Sequence, residues 1–287
     1  MTISLSSSAM LVDLSISVWT ARKKDKGTEA EVVTNKKALS SKAASVHKHL
    51  LADAEPLAVI GRFASDCRSW LYLNTLPWSD NGARLLPTKN FFTFKQELAR
   101  REAHFWSLVS VFEREYPALV TSMALQLGDL FKRDEYPAAE SIASKFGFYP
   151  QFSPVPEAGD FRVDIPSDAL DALRKEYGTL ADQRLEAAMK DAWNRLHDVV
   201  KHMYDKLQPV KEGEPTKRIH ETMLTNAGEL CSVLTALNIA NDPKLEEARR
   251  QLESIVGRLD TKSLREVPEL RESTRTQLAG VLDKFAL

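Results

Sequence analysis

Residues 185–203, LEAAMKDAWNRLHDVVKHM, carry the clearest structural pattern in the chain. The apolar side chains recur at alternating intervals of four and three residues, at Leu185, Met189, Ala192, Leu196, Val199 and Met203. This interval predicts one apolar face along an α-helix, as in helices that pack lengthwise in a coiled coil. The helix should run from Asp168 to Leu207 and span about 60 Å at about 1.5 Å per residue. Asp168 follows Pro166 and Ser167, and we expect it to cap the start of the helix.

Two further long helical patterns precede this helix. Apolar residues at the same interval over residues 94–127 predict a second long helix, with a kink or break expected at Pro117. Stripes over residues 39–50 and 60–70 predict either one long helix interrupted at Pro56 or two collinear helices. The body of the protein should therefore be built on three long helices.

The C-terminal part of the chain is also predicted to be helical. A polar segment rich in proline and glycine, residues 208–215, is typical of a connector. Periodic patterns beyond it predict three shorter helices over residues 218–237, 243–259 and 267–285. Residues 241–243, Asn-Asp-Pro, form a start signal for the second of these helices.

Alternation with a period of two marks strands outside the helices. It predicts a half-buried N-terminal strand over residues 12–18, followed by a turn or flexible loop over residues 22–27. Residues 161–165 alternate in the same way within a proline- and aromatic-rich insertion, residues 146–165. We expect this insertion to pair with the N-terminal strand, because neither strand is stable alone. Residues 71–90 contain two prolines and an Asn-Gly pair, which predicts an ordered loop or short hairpin.

Together these patterns predict a mainly α fold. We expect an elongated bundle of long antiparallel helices, with a small β-sheet and a helical C-terminal portion. The sheet should consist of the N-terminal strand and the 146–165 insertion. The predicted organisation is a long-helix body with this sheet over residues 1–208, a connector over residues 209–215 and a C-terminal helical subdomain over residues 216–287.

The composition argues against several classes of protein. The 287 residues carry 39 basic and 40 acidic side chains, a formal net charge of −1, which disfavours bulk electrostatic attachment to nucleic acid. Cys67 and Cys231 lie far apart in the sequence, which fits a reducing compartment and neither a disulfide framework nor a thiolate zinc site. No apolar run is long enough to span a membrane, and the basic cluster follows the N-terminal apolar stretch, unlike in a secretory signal. We therefore expect a cytoplasmic protein.

The sequence shows no catalytic or cofactor-binding motif. It lacks the Gly-x-Ser-x-Gly elbow of hydrolases and the glycine-rich motifs that bind nucleotide phosphates. The histidines are spaced unfavourably for a shared metal ion; His197 and His202, for example, diverge on one helix. The acidic residues around Asp160 are typical of a solvated turn, and Cys67 lies on an apolar stripe. We expect no enzymatic activity, no metal and no cofactor.

The N-terminal region is locally basic and offers a candidate nucleic-acid contact. Residues 1–50 contain eight lysines and arginines against four acids. One tryptophan stands beside a basic cluster able to follow a phosphate backbone, and the candidate contact residues are Trp19, Arg22, Lys23, Lys24 and Lys26. The alternative, which we favour, is a solvated loop whose charges protect the edge of a strand.

A second candidate surface lies in the segment before the second long helix. Its aromatic residues are suited to anchoring a protein partner, and the candidate contacts are Trp70, Tyr72, Trp78 and Arg84. Phe91 and Phe92 follow in the same segment. The alternative, which we favour, is that these aromatic side chains fold inward and cover the helix ends.

Three stretches carry a resemblance to a known family: ISVW with ARKK in residues 16–24, NTLPW with GARLLP in residues 74–87, and SPVP with GDFRVD in residues 153–164. In this order the chain resembles an uncharacterised family of bacteriophage and prophage proteins, classed as a domain of unknown function. The resemblance covers the chain to about Leu207 and is weaker beyond it. Members of that family tend to be encoded near a MoxR-type AAA+ ATPase and a CobT-like protein, which implies a partner role. The family identifies no catalytic residues.

The resemblance and the patterns together lead to one expected function and two alternatives. The expected function is that of a non-enzymatic phage-encoded protein that acts through protein–protein contacts, as an adaptor, substrate or assembly partner of an AAA+ ATPase. It would act in the cytoplasm of the bacterial host, without a membrane partner. One alternative is a DNA-binding protein of phage replication or recombination, which would use the surface between Arg22 and Lys48. The other is a self-assembling structural protein of the virion.

Overall fold

The computed structural model describes residues 5–38, 40, 42–79, 82–157, 166–209 and 219–285. The helices of this part of the chain are α1 (Leu5–Ser8), α2 (Lys26–Asn35), α3 (Glu55–Asn74), α4 (Phe91–Gln126), α5 (Ser167–Lys206), α6 (Glu221–Leu237), α7 (Pro243–Val256), α8 (Thr261–Glu266) and α9 (Pro268–Lys284). Its strands are β1 (Ala9–Ser17), β2 (Arg22–Lys24), β3 (His47–His49), β4 (Leu76–Pro77), β5 (Arg84–Pro87) and β6 (Gly147–Pro154). The mainly α prediction is confirmed. Within the described ranges, every helix is too short or too polar to cross a bilayer.

The long helix predicted from residues 185–203 is α5. It has 40 residues and begins at Ser167. Its buried side chains are Ala188, Ala192, Leu196, Val200 and Met203. The buried face is therefore turned slightly from the predicted stripe. The expected cap at Asp168 is wrong: the N-cap residue is Pro166, which makes no side-chain cap hydrogen bond. Asp168 lies in the first turn of α5, where its negative charge interacts favourably with the helix dipole.

Helix α4 confirms the second long helix. Of the kink or break expected at Pro117, the break is absent, and the kink stays a prediction. The helix continues through this proline to Gln126. An internal proline removes one backbone hydrogen bond and destabilises a helix by about 3 kcal/mol. Phe112, Tyr116 and Val120 are buried on the same part of α4, and their burial offsets that loss.

The described residues between 40 and 50 do not form the predicted helix. They lead into β3, and α3 begins only at Glu55. Pro56 therefore stands in the first turn of a helix, where proline is tolerated, and interrupts nothing. The turn or loop expected over residues 22–27 is also wrong in part, because Arg22–Lys24 forms β2, which pairs antiparallel with β3. Partners distant in sequence satisfy the backbone groups of both strands.

The small sheet has the strand order β4-β5-β1-β6. β1 pairs antiparallel with β5, with Ala9 opposite Pro87. β4 and β5 form the hairpin predicted within residues 71–90. β6 lies beside β1, which confirms the expected pairing of the N-terminal strand with the 146–165 insertion. The predicted strand over residues 161–165 lies outside the described residues.

The chain divides into two compact units. Unit 1 comprises Met1–Asp13, Trp70–Lys95 and Gln151–Leu287. Unit 2 comprises Leu14–Ser69 and Gln96–Pro150. In unit 1, α5 packs against α6, α7 and α9, and the buried faces of these helices form one hydrophobic core.

The C-terminal helices confirm the pattern predicted beyond the connector. α6, α7 and α9 match the three predicted helices, and α8 is an additional short helix between them. Asp242 caps α7 by accepting hydrogen bonds from the backbone N–H groups of Lys244 and Leu245. Most of the connector lies outside the described residues. The division into residues 1–208 and 216–287 stays a prediction, as does the elongated antiparallel arrangement of the long helices.

The core of unit 2 is rich in aromatic side chains. Phe105, Phe112 and Tyr116 of α4 are among its largest fully buried residues. The rings of Phe112 and Phe146 lie 5.4 Å apart, and those of Phe105 and Phe148 lie 5.5 Å apart. These contacts hold the start of β6 on the middle of α4.

Candidate functional site

Unit 1 carries a set of touching aromatic rings near the start of α4. We call Trp70, Phe91, Phe92, Phe94 and Phe152 the aromatic cluster. Trp70 stacks on Phe94, with ring centroids 4.5 Å apart and planes at 21°. Phe152 lies 6.4 Å from Phe94 and 5.8 Å from Phe91. Phe91 in turn lies 5.5 Å from Phe92. The five rings therefore form one continuous series of contacts.

The aromatic cluster is buried at its base and open to solvent at its outer end. Phe94 is 3% exposed, whereas Phe92 is 83% exposed. Trp70, Phe91 and Phe152 are half-buried between these extremes. The buried base fixes the inner end of this series, and Phe92 at its outer end is accessible. A large exposed apolar side chain beside further apolar rings is typical of a contact surface.

Tyr72 and Arg84 form a second accessible pair in unit 1. Tyr72 is 52% exposed, and the guanidinium of Arg84 lies 4.5 Å from the centre of its ring. Arg84 also donates hydrogen bonds to the hydroxyl and the carbonyl of Thr75, at 2.7 and 3.1 Å. Burial lowers the pKa of Arg84, and the positive charge of Arg195 lowers it further. The guanidinium is thus fixed just beyond the end of α3, beneath an exposed ring.

Trp78 differs from the other predicted partner contacts because it is buried. Only 5% of this residue is exposed, and it belongs to the core of unit 1. The guanidinium of Arg184 lies 5.5 Å from its ring centre. Phe152, by contrast, joins the aromatic cluster although the sequence pattern gave it no role. Its position depends on β6, and the only available signal was the run of aromatic residues that begins at Phe146.

Strands β2 and β3 form a basic two-stranded ribbon in unit 2. The register places Arg22 opposite His49 and Lys24 opposite His47. Side chains alternate between the faces of a strand, so these four residues share one face. All four are exposed. We call Arg22, Lys24, His47 and His49 the ribbon face.

The opposite face of this ribbon is neutralised by acids. The side chain of Lys48 is 4% exposed, pairs with Glu135 and lies 3.6 Å from a carboxylate oxygen of Asp25. Lys48 also donates a hydrogen bond to the carbonyl of Leu130, at 2.9 Å. Lys23 lies opposite Lys48 in the register and reaches the same Glu135 at 3.7 Å. The ribbon is therefore attached to residues 130–135 by buried and half-buried ion pairs.

The structure separates the predicted nucleic-acid contacts. Trp19 is half-buried, with its ring 6.5 Å from that of Phe112 and 5.9 Å from that of Tyr116. Its ring therefore packs on the core of unit 2. Lys24 pairs with Glu29 at 2.9 Å, and Lys23 faces the acids described above.

The remaining members of that predicted set are accessible. Arg22 lies on the ribbon face, and Lys26 is exposed at the first position of α2. Sequence reasoning missed His47 and His49 as neighbours of Arg22 and Lys24. The available signal was the alternation of the His-Lys-His triplet, which matches the period of a strand.

Within the described ranges, no group of three or more His, Cys, Asp or Glu side chains is arranged to hold a metal ion. Cys67 and Cys231 are buried. Burial raises the pKa of the Cys67 thiol, and it raises that of Cys231 to about 11. Asp160 and Asp164 lie outside the described residues.

Comparison of the chain with protein-family models, with characterised proteins and with solved structures gives no match. The chain thus has two candidate functional surfaces, the aromatic cluster of unit 1 and the ribbon face of unit 2.

Proposed function

We propose that this protein acts through contacts with another protein, and that the aromatic cluster of unit 1 is the contact surface. The observation that carries the proposal is Phe92, which is 83% exposed at the end of a series of rings anchored by buried Phe94. Leaving a phenylalanine in water forfeits about 1.5–3 kcal/mol of burial free energy. A partner that covers Phe92 would recover part of that free energy, less the cost of ordering the ring.

The partner we propose is an AAA+ ATPase of the MoxR type. The resemblance to phage and prophage proteins encoded beside such ATPases supports this choice. The role would be that of an adaptor, substrate or assembly partner in the bacterial host cytoplasm, without catalysis by this chain. Tyr72, which is 52% exposed and held over the guanidinium of Arg84, supplies a second accessible ring of unit 1.

The proposal is tested by measuring the affinity of the full chain for a MoxR-type ATPase. Phe92→Ser should weaken binding about thirtyfold, which corresponds to about 2 kcal/mol of lost burial. Leu125→Ser is the matched control, because Leu125 is 90% exposed but belongs to unit 2 and not to the aromatic cluster. Equal affinities for the two variants, or no binding by the unmodified chain, would count against the proposal.

A second candidate function, nucleic-acid binding, is favoured by one observation. The register of β2 and β3 places Arg22, Lys24, His47 and His49 on one exposed face. A two-stranded ribbon of this kind fits the major groove of DNA, and its cations contact phosphates. The ion pair between Lys24 and Glu29 reduces the net charge available, so we rank this function second.

The test for this second function is fluorescence anisotropy of a labelled DNA duplex at low salt. Charge reversal of the ribbon face by Arg22→Glu with Lys24→Glu should abolish a salt-sensitive interaction. Arg114→Glu with Lys145→Glu reverses the same number of exposed charges elsewhere in unit 2 and should leave binding nearly unchanged. If both double variants lose affinity equally, the ribbon face has no specific role.

Self-assembly is the remaining alternative, and the aromatic cluster would serve it as well. Light scattering of the purified chain distinguishes this alternative from an ATPase partner. A large particle whose mass falls on Phe92→Ser substitution supports a self-assembling virion protein, whereas a small species with unchanged mass supports a heterologous partner.

A further inference from the structure

A cavity of about 470 Å³ lies between the end of α5 and the start of α6 in unit 1. This volume is within the range of about 300–1,000 Å³ that is usual for small-ligand sites. None of the residues assigned above to the aromatic cluster or the ribbon face lines it. The cavity is therefore independent of the proposed partner contact.

Helix α5 contributes two parallel rows of side chains to this cavity. Asp198, His202 and Lys206 recur every fourth residue and form a polar row on one side of the helix. Val199 and Met203 form the adjoining apolar row. Met203 is fully buried, whereas Asp198 and His202 are exposed. The cavity consequently has an apolar floor and a polar rim on this side.

Helix α6 repeats the same arrangement from the opposite side. Thr222 and Asn226 are one turn apart and line the rim, and buried Met223 adds to the floor. His220 also lines the cavity and is the N-cap residue of α6, without a side-chain cap hydrogen bond. The rim therefore combines imidazole, hydroxyl and amide groups with the first turn of a 17-residue helix. The N–H groups of that turn carry partial positive charge, which the carboxylate of Glu221 in the same turn partly offsets.

We infer that this cavity binds a small organic oxyanion, either a phosphate monoester or a carboxylate, that carries an apolar body. The Lys206 ammonium pairs with the anionic group, and the His202 and His220 imidazoles and the Thr222 hydroxyl donate hydrogen bonds to it. The apolar body rests on Met203 and Met223. The carboxylate of Asp198 limits the total negative charge that the site accepts.

The first experiment follows the histidine side chains of the full chain by nuclear magnetic resonance at low salt. The probes are phenyl phosphate, benzoate and inorganic phosphate. The imidazole signals of His202 and His220, assigned from single His→Gln variants, should shift saturably with phenyl phosphate or benzoate. The better of these two should bind about tenfold more tightly than inorganic phosphate, because its ring covers the apolar floor. If the signals of both histidines stay unchanged, or if inorganic phosphate binds as tightly, the inference is overturned.

Three variants then test the electrostatic part of the inference. Lys206→Met should weaken phenyl phosphate or benzoate binding about tenfold, the loss expected for one charge-assisted interaction. Lys201→Met is the matched control, because Lys201 is exposed on the same helix but does not line the cavity. Asp198→Asn should strengthen binding a few-fold, because it removes a like charge from the rim. Equal affinities for Lys206→Met and Lys201→Met, or weaker binding by Asp198→Asn, would contradict the inference.

Discussion

Replacing Lys48 by methionine tests how the β2–β3 ribbon is held in place. Lys48 and Lys23 lie opposite each other in the register, and both pair with Glu135. They differ in burial: the Lys48 side chain is 4% exposed and the Lys23 side chain is 49% exposed. Lys48→Met and Lys23→Met therefore each remove one positive charge beside Glu135. Lys48→Met also removes a buried ammonium that lies beside Asp25 and donates to the carbonyl of Leu130, whereas the Lys23 ammonium is half-exposed.

The expected magnitudes follow from these exposures. Removing one partner of a buried ion pair destabilises a protein by about 3–5 kcal/mol, because the other charge is left buried and unpaired. In the Lys48→Met variant the Glu135 side chain, which is 10% exposed, still has Lys23 at 3.7 Å as a partner. We therefore expect the free energy of unfolding to fall by about 3 kcal/mol, near the lower limit of that range. Lys23→Met should lose at most about 1 kcal/mol, as is usual for an exposed pair.

The assay is urea unfolding of each variant, followed by circular dichroism and by hydrogen exchange of the β2 and β3 amides. Lys48→Met should lower the free energy of unfolding and speed exchange in the ribbon, whereas Lys23→Met should do neither appreciably. Adding Glu135→Gln to Lys48→Met should restore part of the stability, because the unpaired carboxylate is removed. Losses that agree within about 0.5 kcal/mol for the two single variants would show that burial does not govern these ion pairs.

Two further predictions concern the helical core of unit 1. Asp242→Ala should lower the free energy of unfolding by about 1–2 kcal/mol, because it removes the cap of α7 and the 3.0 Å hydrogen bond from the indole of Trp193. Asp242→Asn keeps a capping oxygen, so its free energy of unfolding should fall less in the same urea titration. Hydrogen bonds from Arg249 and Arg250 hold the pKa of Glu246 at about 2, below its ordinary value of 4.5. The ionised carboxylate therefore contributes its full stabilisation of the fold above about pH 4.5, and this contribution is lost as the pH falls towards 2. Near neutral pH, the free energy of unfolding of Glu246→Gln should be lower than that of the unmodified chain by about 1–2 kcal/mol, a value reduced to allow for the partial exposure of Glu246. Unfolding curves measured across the pH range should show this difference vanish near pH 2.

The long helices could be predicted from sequence because their signal is local and repeated many times. In α5 the predicted apolar stripe recurs over about five turns, from Leu185 to Met203, so a small error in its position does not change the prediction of a helix. Of the kink or break expected at Pro117, the break was wrong, because the burial of Phe112 and Tyr116 in the core of unit 2 overrides the local preference of proline.

The ribbon could not be predicted, because its pattern is short and its stabilising partners are distant. Residues 39–50 happen to carry apolar side chains at helical intervals, but the segment that includes Lys48 is held by Glu135 and Leu130, more than eighty positions away. A lysine that is buried by tertiary ion pairs has no local signature in the sequence. The same reason explains why His47 and His49 were not recognised as neighbours of Arg22.

The residues of the aromatic cluster could be predicted from the sequence only in part. The sequence identified the aromatic segment that contains Trp70 and Tyr72, but periodicity could not tell that Trp78 is buried and Phe92 exposed. That difference arises from the hairpin β4–β5, which directs Trp78 into the core of unit 1, and from the first turn of α4. Phe152 joins the cluster only because β6 brings it to Phe91 and Phe94.

The proposed contact through the aromatic cluster can be observed within a single sample. In the full chain labelled with 5-fluorotryptophan, Trp70 reports on the aromatic cluster, and Trp193, which packs on Phe285 in the helical core, serves as the internal reference. Addition of a MoxR-type ATPase should shift or broaden the fluorine signal of Trp70 and leave that of Trp193 unchanged. An unchanged Trp70 signal at saturating ATPase, or a change confined to Trp193, would contradict the proposal that this cluster is the contact surface.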